Sequence, residues 1–257
     1  MQHLALIEPM TSGYIEAFMH EHGLPEVFAS LLARHIHQPQ EDFLQAAPET
    51  GTFAVADGVT LDVRALIAHG KSYPHPSPSG AVARAFCRAV IEQQGNTNVD
   101  QVFRIANNAV QVLDEHHEED VYTNNPTGRY AATGAFVIIR DTAAHYASIC
   151  DSYIFHFDTD LRQKHATTGI CDPYAVINGE EHMVDHLEQG VWHVEPGDTL
   201  MLCTDGFAPY MTEQEFLGLF RDWSQASSEA VRSYTAGKCA EDPLRFGHER
   251  SLIAVRT

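Results

Sequence analysis

The sequence is short of positive charge: 16 lysines and arginines stand against 35 acids, for a formal net charge of −19. A surface of that sign repels phosphate backbones, which argues against nucleic-acid binding. Cysteine is scarce as well. Cys87, Cys150, Cys171, Cys203 and Cys239 are odd in number and contain no CxxC pair, so no metal-finger spacing is present. Cys150 in ASIC and Cys203 in LMLC sit in apolar runs and read as buried free thiols of a reducing cytosol. No apolar run approaches the length that spans a bilayer. The start MQHLALIEPM lacks the basic region and long apolar stretch of a secretory leader. These absences lead to the expectation of a cytoplasmic protein with neither membrane nor nucleic-acid partners. Histidine is the one residue in excess: the 16 are scattered, His35, His37, His145 and His156 among them, and most read as surface residues.

The 257 residues are 44% hydrophobic, enough for a sizeable core. Without an internal repeat, low-complexity tract or Ser/Gly linker, the expectation is a single domain over 1–257 with an N-terminal helical extension at about 1–35. LPEVFASLLAR at 24–34 has helical spacing. A first strand follows at 51–57. Residues 61–69 begin a helix that the proline-rich YPHPSPSG breaks. Two amphipathic helices come next, from about Ser79 through Glu92 and from about Val99 through Glu118. After Gly128 the texture turns to short alternating strands, GAFVIIRD, AAHYASICDS and YIFHFD, with a turn at Arg140-Asp141-Thr142. Residues 165–190 read as a long irregular loop. A strand, a Pro-Gly-Asp turn and a buried strand ending on Asp205-Gly206 come after it. MTEQEFLGLFRDW is a helix with Thr212 as N-cap and Glu215 completing a capping box, and SLIAVRT is a closing strand. The pattern predicts an α+β fold: a central β-sandwich of two antiparallel sheets flanked by helices.

Two apolar strands, FAVADG and LMLCTDG, each stop on Asp-Gly. One such ending is an ordinary turn. Glu41-Asp42 precede the first of these strands, and His248-Glu249 precede the last strand. Acids at strand ends can converge on one edge of a sheet, where they repel one another unless protons or cations intervene. Such oxygen-rich clusters suit Mg²⁺ or Mn²⁺. Two such ions can activate a water and clamp a phosphoryl group. Gly58, lacking a side chain, lets its carbonyl approach an ion.

These segments, in this order, resemble the metal-dependent protein phosphatases of the PP2C type, the PPM family. QEDFL stands at that family's NED segment, FAVADGVT at its FAVxDGxG, and YAATGAFVIIRD at its GTTA strand. ASICDSYIFHF resembles the VGDSRxYL hairpin, VEPGDTLMLCTDGFAPYMTEQEF the PGDxLLLCSDGLxDxLSxxE segment, and GHERSLIAV the DN/DDxTxxxV segment. The resemblance implies PP2C-like α-β-β-α layers and a two-ion centre. Asp57 would bridge the ions, Asp205 would hold the first, and Glu41 with the Gly58 carbonyl the second. Asp42 would brace the site, and Asp151 would help bind a weaker third ion. The implied activity is metal-dependent hydrolysis of phosphoserine or phosphothreonine in proteins, by a water bridging two Mn²⁺ or Mg²⁺ ions. Its implied partner is a phosphorylated protein, a serine/threonine kinase or its target.

The sequence departs from the pattern in several places. The last metal-binding aspartate falls on His248, with Glu249 beside it, so either His248 binds and shifts the metal preference towards Mn²⁺ or Glu249 substitutes. Pro209 replaces the second aspartate of SDGLxD, Tyr153 replaces the arginine of GDSR, and FAVADGVT lacks the following Gly-Gly. The phosphate-binding arginine falls nearest His37, with Arg34 three residues away as the catalytic candidate. Two other readings stand beside the enzyme: a pseudophosphatase-like binding module with an incomplete metal site, and a phosphatase of small metabolites. Retention of Asp57, Asp205 and Glu41 favours the protein phosphatase.

Overall fold

A computed structural model describes residues 1–114, 128–171, 174–224 and 226–257. Among the described residues, ten strands form two antiparallel sheets of five strands each. One sheet runs β1 (Gln2–Glu8), β10 (Arg250–Arg256), β9 (Thr199–Cys203), β6 (Tyr153–Phe157), β7 (Gln163–Ala166). The other runs β2 (Asp42–Ala47), β3 (Thr52–Gly58), β4 (Ala132–Arg140), β5 (Ala143–Ile149), β8 (Glu188–His193).

Side chains alternate across a strand, so each central strand buries two different sets. Phe53 and Val55 of β3, Val137 of β4, Leu200 and Leu202 of β9, and Ile253 of β10 meet between the sheets. The intervening residues face outward onto helices. Ala54, Ala56 and Phe136 pack in one cluster with Val82, Phe86 and Val90 of α4 (Pro78–Glu92) and with Phe103 and Ala106 of α5 (Val99–Asp114). On the opposite side, Met201, Cys203 and Leu252 pack with Phe207, Tyr210 and Phe216, and with Val231 of α7 (Ser228–Glu241). The result is the expected α+β sandwich, with helices on both outer faces. No helix among the described residues is long and apolar enough to cross a membrane.

Local chemistry sets the helix ends. Ser77 accepts the N–H of Gly80 and Pro78 occupies the first turn, so α4 starts at the last proline of YPHPSPSG. The helix expected at 61–69 is α3, Val63–Ala68, capped by Asp62 through the N–H of Ala65. The helix expected over Val99 to Glu118 is α5 from Val99 to Asp114, and the rest of that expectation falls outside the described residues.

Four expectations need correction. Residues 2–8 do not belong to a helical extension: they form β1, an edge strand paired residue for residue with β10. Helix enters only at α1 (Ser12–His22) and α2 (Val27–Leu31). The capping box at Thr212 does not form, because residues 205–212 wind as a 3₁₀ segment and the Thr212 hydroxyl bonds back to the Pro209 carbonyl. A short helix, α6 (Gln214–Gly218), follows with no side-chain cap. The segment 165–190 is not all loop, since it takes in the end of β7, a 3₁₀ turn at Glu181–His186 and the start of β8. Finally, Cys150 is not a free thiol: it pairs with Cys171 as a disulfide, their Cα atoms 4.4 Å apart, whereas Cys203 is free and buried as expected.

The antiparallel registers deliver the acids to one end of the sandwich. Asp42, the first residue of β2, lies opposite Asp57 near the end of β3. Cys203, the last residue of β9, lies opposite Leu252 in β10 and opposite Tyr153 in β6. Asp205, His248-Glu249 and the Cys150-Asp151 turn therefore all emerge on neighbouring strand ends.

Candidate metal centre

Asp57 stands on β3 beside Asp42, and their carboxyl groups are within hydrogen-bonding reach. Burial raises the pKa of Asp57, and repulsion from Asp42, Asp205 and Glu249 raises it further. Asp42 is pushed up to about 6, chiefly by burial, although the Thr204 hydroxyl donates to its Oδ2 at 2.7 Å. His248 Nδ1 lies 3.3 Å from Asp205 Oδ1. Burial opposes charge on His248, yet Asp205 outweighs it and lifts the imidazole to about 10. Reciprocally, Asp205 is lowered despite its burial, mainly through His248. Asp151 is raised by burial and by Asp205. These groups sense one another's charge, so the strand-end acids do converge.

Glu249 and Glu41 serve differently from the rest. Glu249 accepts main-chain N–H bonds from Gln40 (2.8 and 3.0 Å), Glu41 (2.8 Å) and Asp42 (2.6 Å). That commits its carboxylate to holding the turn that leads into β2. His248, not Glu249, is therefore the residue of the pair that faces Asp205. Glu41 is buried in a cage of protein donors. Ser77 and Tyr73 donate to its Oε1 at 2.7 and 2.5 Å, and His35 Nε2 lies 2.7 Å from its Oε2.

Gly58 is required for a close approach. A side chain there would stand 2.5 Å from the Ser79 carbonyl carbon, in the first turn of α4. The Gly58 N–H meanwhile donates to the Glu41 carbonyl at 3.1 Å. A Cβ on Gly80 would likewise collide with the Gln40 carbonyl. The α4 N-terminus thus clamps the 40–42 turn against the end of β3.

Arg34 is exposed in the 3₁₀ turn Ala33–Ile36. Its charge bears on His75, whose Nδ1 lies 2.7 Å from Gln40 Oε1. It therefore sits on the outer side of the Glu41 cage.

The arrangement suits hard divalent cations. The Asp42 Oδ1 atom is buried without a hydrogen-bond partner, an expense that a cation would offset; Asp205 Oδ1 instead faces the His248 imidazole at 3.3 Å. Among the described residues, the triplets whose ligand atoms all lie within 4.8 Å are His35, Glu41 and Glu249, and Cys150, Asp151 and Cys171; Asp57, Asp205 and His248 do not form one. Burial raises the thiols of Cys87 and Cys203, which fits a site needing no cysteine nucleophile.

Several neighbours of the centre were not legible in the sequence. His35, Tyr73 and Ser77 around Glu41 come from segments read as surface histidine and proline-rich breaker. Tyr14 of α1 also belongs here: burial, Asp205 and Asp57 lift its phenol to about 12.

Residues 33–237 match the protein phosphatase 2C family. That is well over half of the sequence, and the chain belongs to that family. A search of curated proteins finds no match. Among solved structures, the chain is similar to PppA, a key regulatory component of T6SS in Pseudomonas aeruginosa. The identity is 15%, the TM-score 0.63, and the coverage 100% of this chain and 97% of that one. It is also similar to the Mycobacterium tuberculosis serine/threonine phosphatase PstP/Ppp, at 14% identity, TM-score 0.60 and coverage of 98% and 97%. A PstP catalytic domain in complex with two manganese ions aligns at 14% identity, TM-score 0.54 and coverage of 98% and 96%.

Proposed function

We propose that this protein hydrolyses phosphoserine and phosphothreonine in protein substrates and depends on Mn²⁺ or Mg²⁺. The observation that carries the reading is the convergence of Asp57, Asp42, Asp205 and His248 at one end of the sandwich, where buried acids repel one another unless protons or cations intervene. Asp57 and Asp205 are the principal ligands, His248 takes the C-terminal ligand position, and the Gly58 carbonyl and Glu41 complete a second position. Asp151 flanks a weaker third. When bound, two such ions lower the pKa of water and neutralise charge on the phosphoryl oxygens.

The chain's own groups position and exclude. Thr204 orients Asp42, Glu249 fixes the 40–42 turn, and the α4 clamp holds Gly58 against it. Arg34 is the candidate for contact with the substrate phosphate. The similar structures support the reading through the two manganese ions in PstP and the serine/threonine phosphatase activity named for it. A kinase or its target is the expected substrate.

One observation favours a second reading, a binding module with the same fold. Three protein groups already surround the Glu41 carboxylate, and His248 stands where the family has an acid. The two readings separate on a synthetic phosphothreonine peptide assayed for released phosphate with Mn²⁺ and again in EDTA. Mn²⁺-dependent release supports the enzyme. A full absence of release with Mn²⁺, Mg²⁺ and Co²⁺ supports the binding module.

A further inference from the structure

Beside the centre lies a cavity of about 530 Å³ that the proposed chemistry does not use. His248 forms one wall, and the loop that follows Asp57-Gly58 forms another through Thr60, Leu61 and Arg64. The remaining wall is an aromatic row. Tyr14 meets His248 edge-on at 5.1 Å, stacks on Phe18 at 5.8 Å, and Phe18 stacks on Phe28 at 5.9 Å. Tyr14, Phe18 and His22 share one face of α1 by their spacing of four.

Much of the lining is aliphatic: Met10, Ile15, Leu24, Leu32 and Val63 join the aromatic row. Arg64 stands at an exposed position of the lining, and its one acidic residue, Asp62, is occupied in capping α3. An apolar side chain carried on a segment with an anionic group matches this combination. Since His248 belongs to both the centre and the cavity, a phosphate at Asp57 and Asp205 places the adjacent residues of its peptide at the cavity mouth.

We propose that this aromatic-walled cavity binds a large apolar side chain, such as leucine, methionine or phenylalanine, next to the phosphorylated residue of a protein substrate. The inference rests on the phosphopeptide reading above and specifies which phosphopeptides are taken. α1 and α2 then act as the specificity wall of the site, and Arg64 at the rim attracts the phosphorylated segment.

The test uses fluorescein-labelled peptides that carry a non-hydrolysable phosphonate analogue of phosphothreonine and differ only in the residues flanking it: leucine, glycine or aspartate. Binding to the Mn²⁺-loaded full-length protein is read by polarisation, and turnover is followed separately with p-nitrophenyl phosphate. The leucine peptide is expected to bind about tenfold or more tightly than the glycine and aspartate peptides. Phe18→Ala should bring the three affinities together. Arg64→Glu, at an exposed position with no packing role in the core, should weaken all three. Equal affinity of the wild-type protein for the three peptides overturns the proposal, whether or not Phe18→Ala folds. A wild-type dimer that Phe18→Ala dissociates also overturns it, because a second copy would then fill the cavity. Discrimination among peptides without p-nitrophenyl phosphate turnover leaves this inference standing and removes the enzymatic reading.

Discussion

The carboxylate of Glu249, just ahead of β10, accepts the main-chain N–H of Asp42 at 2.6 Å, linking residues 207 positions apart in the chain. The same oxygen takes the Glu41 N–H, and the Gln40 N–H reaches both oxygens. Burial and repulsion from Asp42 and Glu41 raise the Glu249 pKa, while the amide bonds from Asp42 and Gln40 oppose that rise; a buried carboxyl group on a nest of amides is a fixed brace. Glu249→Gln replaces one acceptor oxygen by a donor that faces those N–H groups. The variant should lose about 2–4 kcal/mol of stability, read by urea denaturation in EDTA, and should bind Mn²⁺ more weakly. Wild-type stability would mean that Glu249 does not hold the turn.

The cage around Glu41 makes a second, separable prediction. Tyr73→Phe and Ser77→Ala each remove one donor to Oε1. Groups that orient a ligand commonly change metal affinity ten- to a hundredfold. Each variant should therefore raise the Mn²⁺ dissociation constant by about that factor, measured by calorimetric titration. If Glu41 has no part in metal binding, both will lower stability while leaving Mn²⁺ affinity unchanged.

The acid cluster sets a pH dependence whose sign is fixed. Asp42 titrates at about 6 in the folded protein against 3.8 when unperturbed, so between those values the native state holds the proton more firmly. Metal-free stability must then fall as pH rises from about 4 to about 6, by roughly 3 kcal/mol from this residue. Asp57 acts in the same direction. His248, raised to about 10, contributes fully below 6.5 and loses its contribution only at higher pH. Thermal unfolding in EDTA should show the decline, and Asp42→Asn should flatten it. A stability that rises through this window in wild type but not in Asp42→Asn would reverse the assignment.

The Cys150–Cys171 disulfide ties the Asp151 turn to the segment beyond β7. A closed loop of this separation contributes about 3 kcal/mol. Reduction by excess dithiothreitol should lower the melting temperature of the wild type but not of Cys171→Ser. The expectation of a reducing cytosol came from the apolar settings of Cys150 and Cys203, and only Cys203 is a free thiol. A disulfide is favoured where the surroundings are oxidising.

What could be read in the sequence was what a local pattern encodes. FAVADG and LMLCTDG announced strand ends with acids, and the structure brings them together because β3 and β9, in different sheets, pack across the sandwich with both acid-bearing ends at the same end. Helix α4 was legible from its period, though its Ser77-Pro78 start was not. The strand at 2–8 was missed because an edge strand buries only alternate residues, here Leu4, Leu6 and Glu8. Its partner, β10, is more than two hundred residues away. The Glu41 cage was missed for a related reason. His35, Tyr73 and Ser77 acquire their roles only through tertiary contact, and nothing in YPHPSPSG distinguishes a ligand brace from a helix breaker. Nor could spacing pair Cys150 with Cys171, 21 residues apart.

The central claim is that Asp57 serves two divalent ions at once. Manganese titration followed by electron paramagnetic resonance, on metal-stripped wild type and on Asp57→Asn, counts those ions directly. The account predicts two tight Mn²⁺ ions per wild-type chain, and loss of both in the variant. A variant that still binds two ions with unchanged affinity would contradict it.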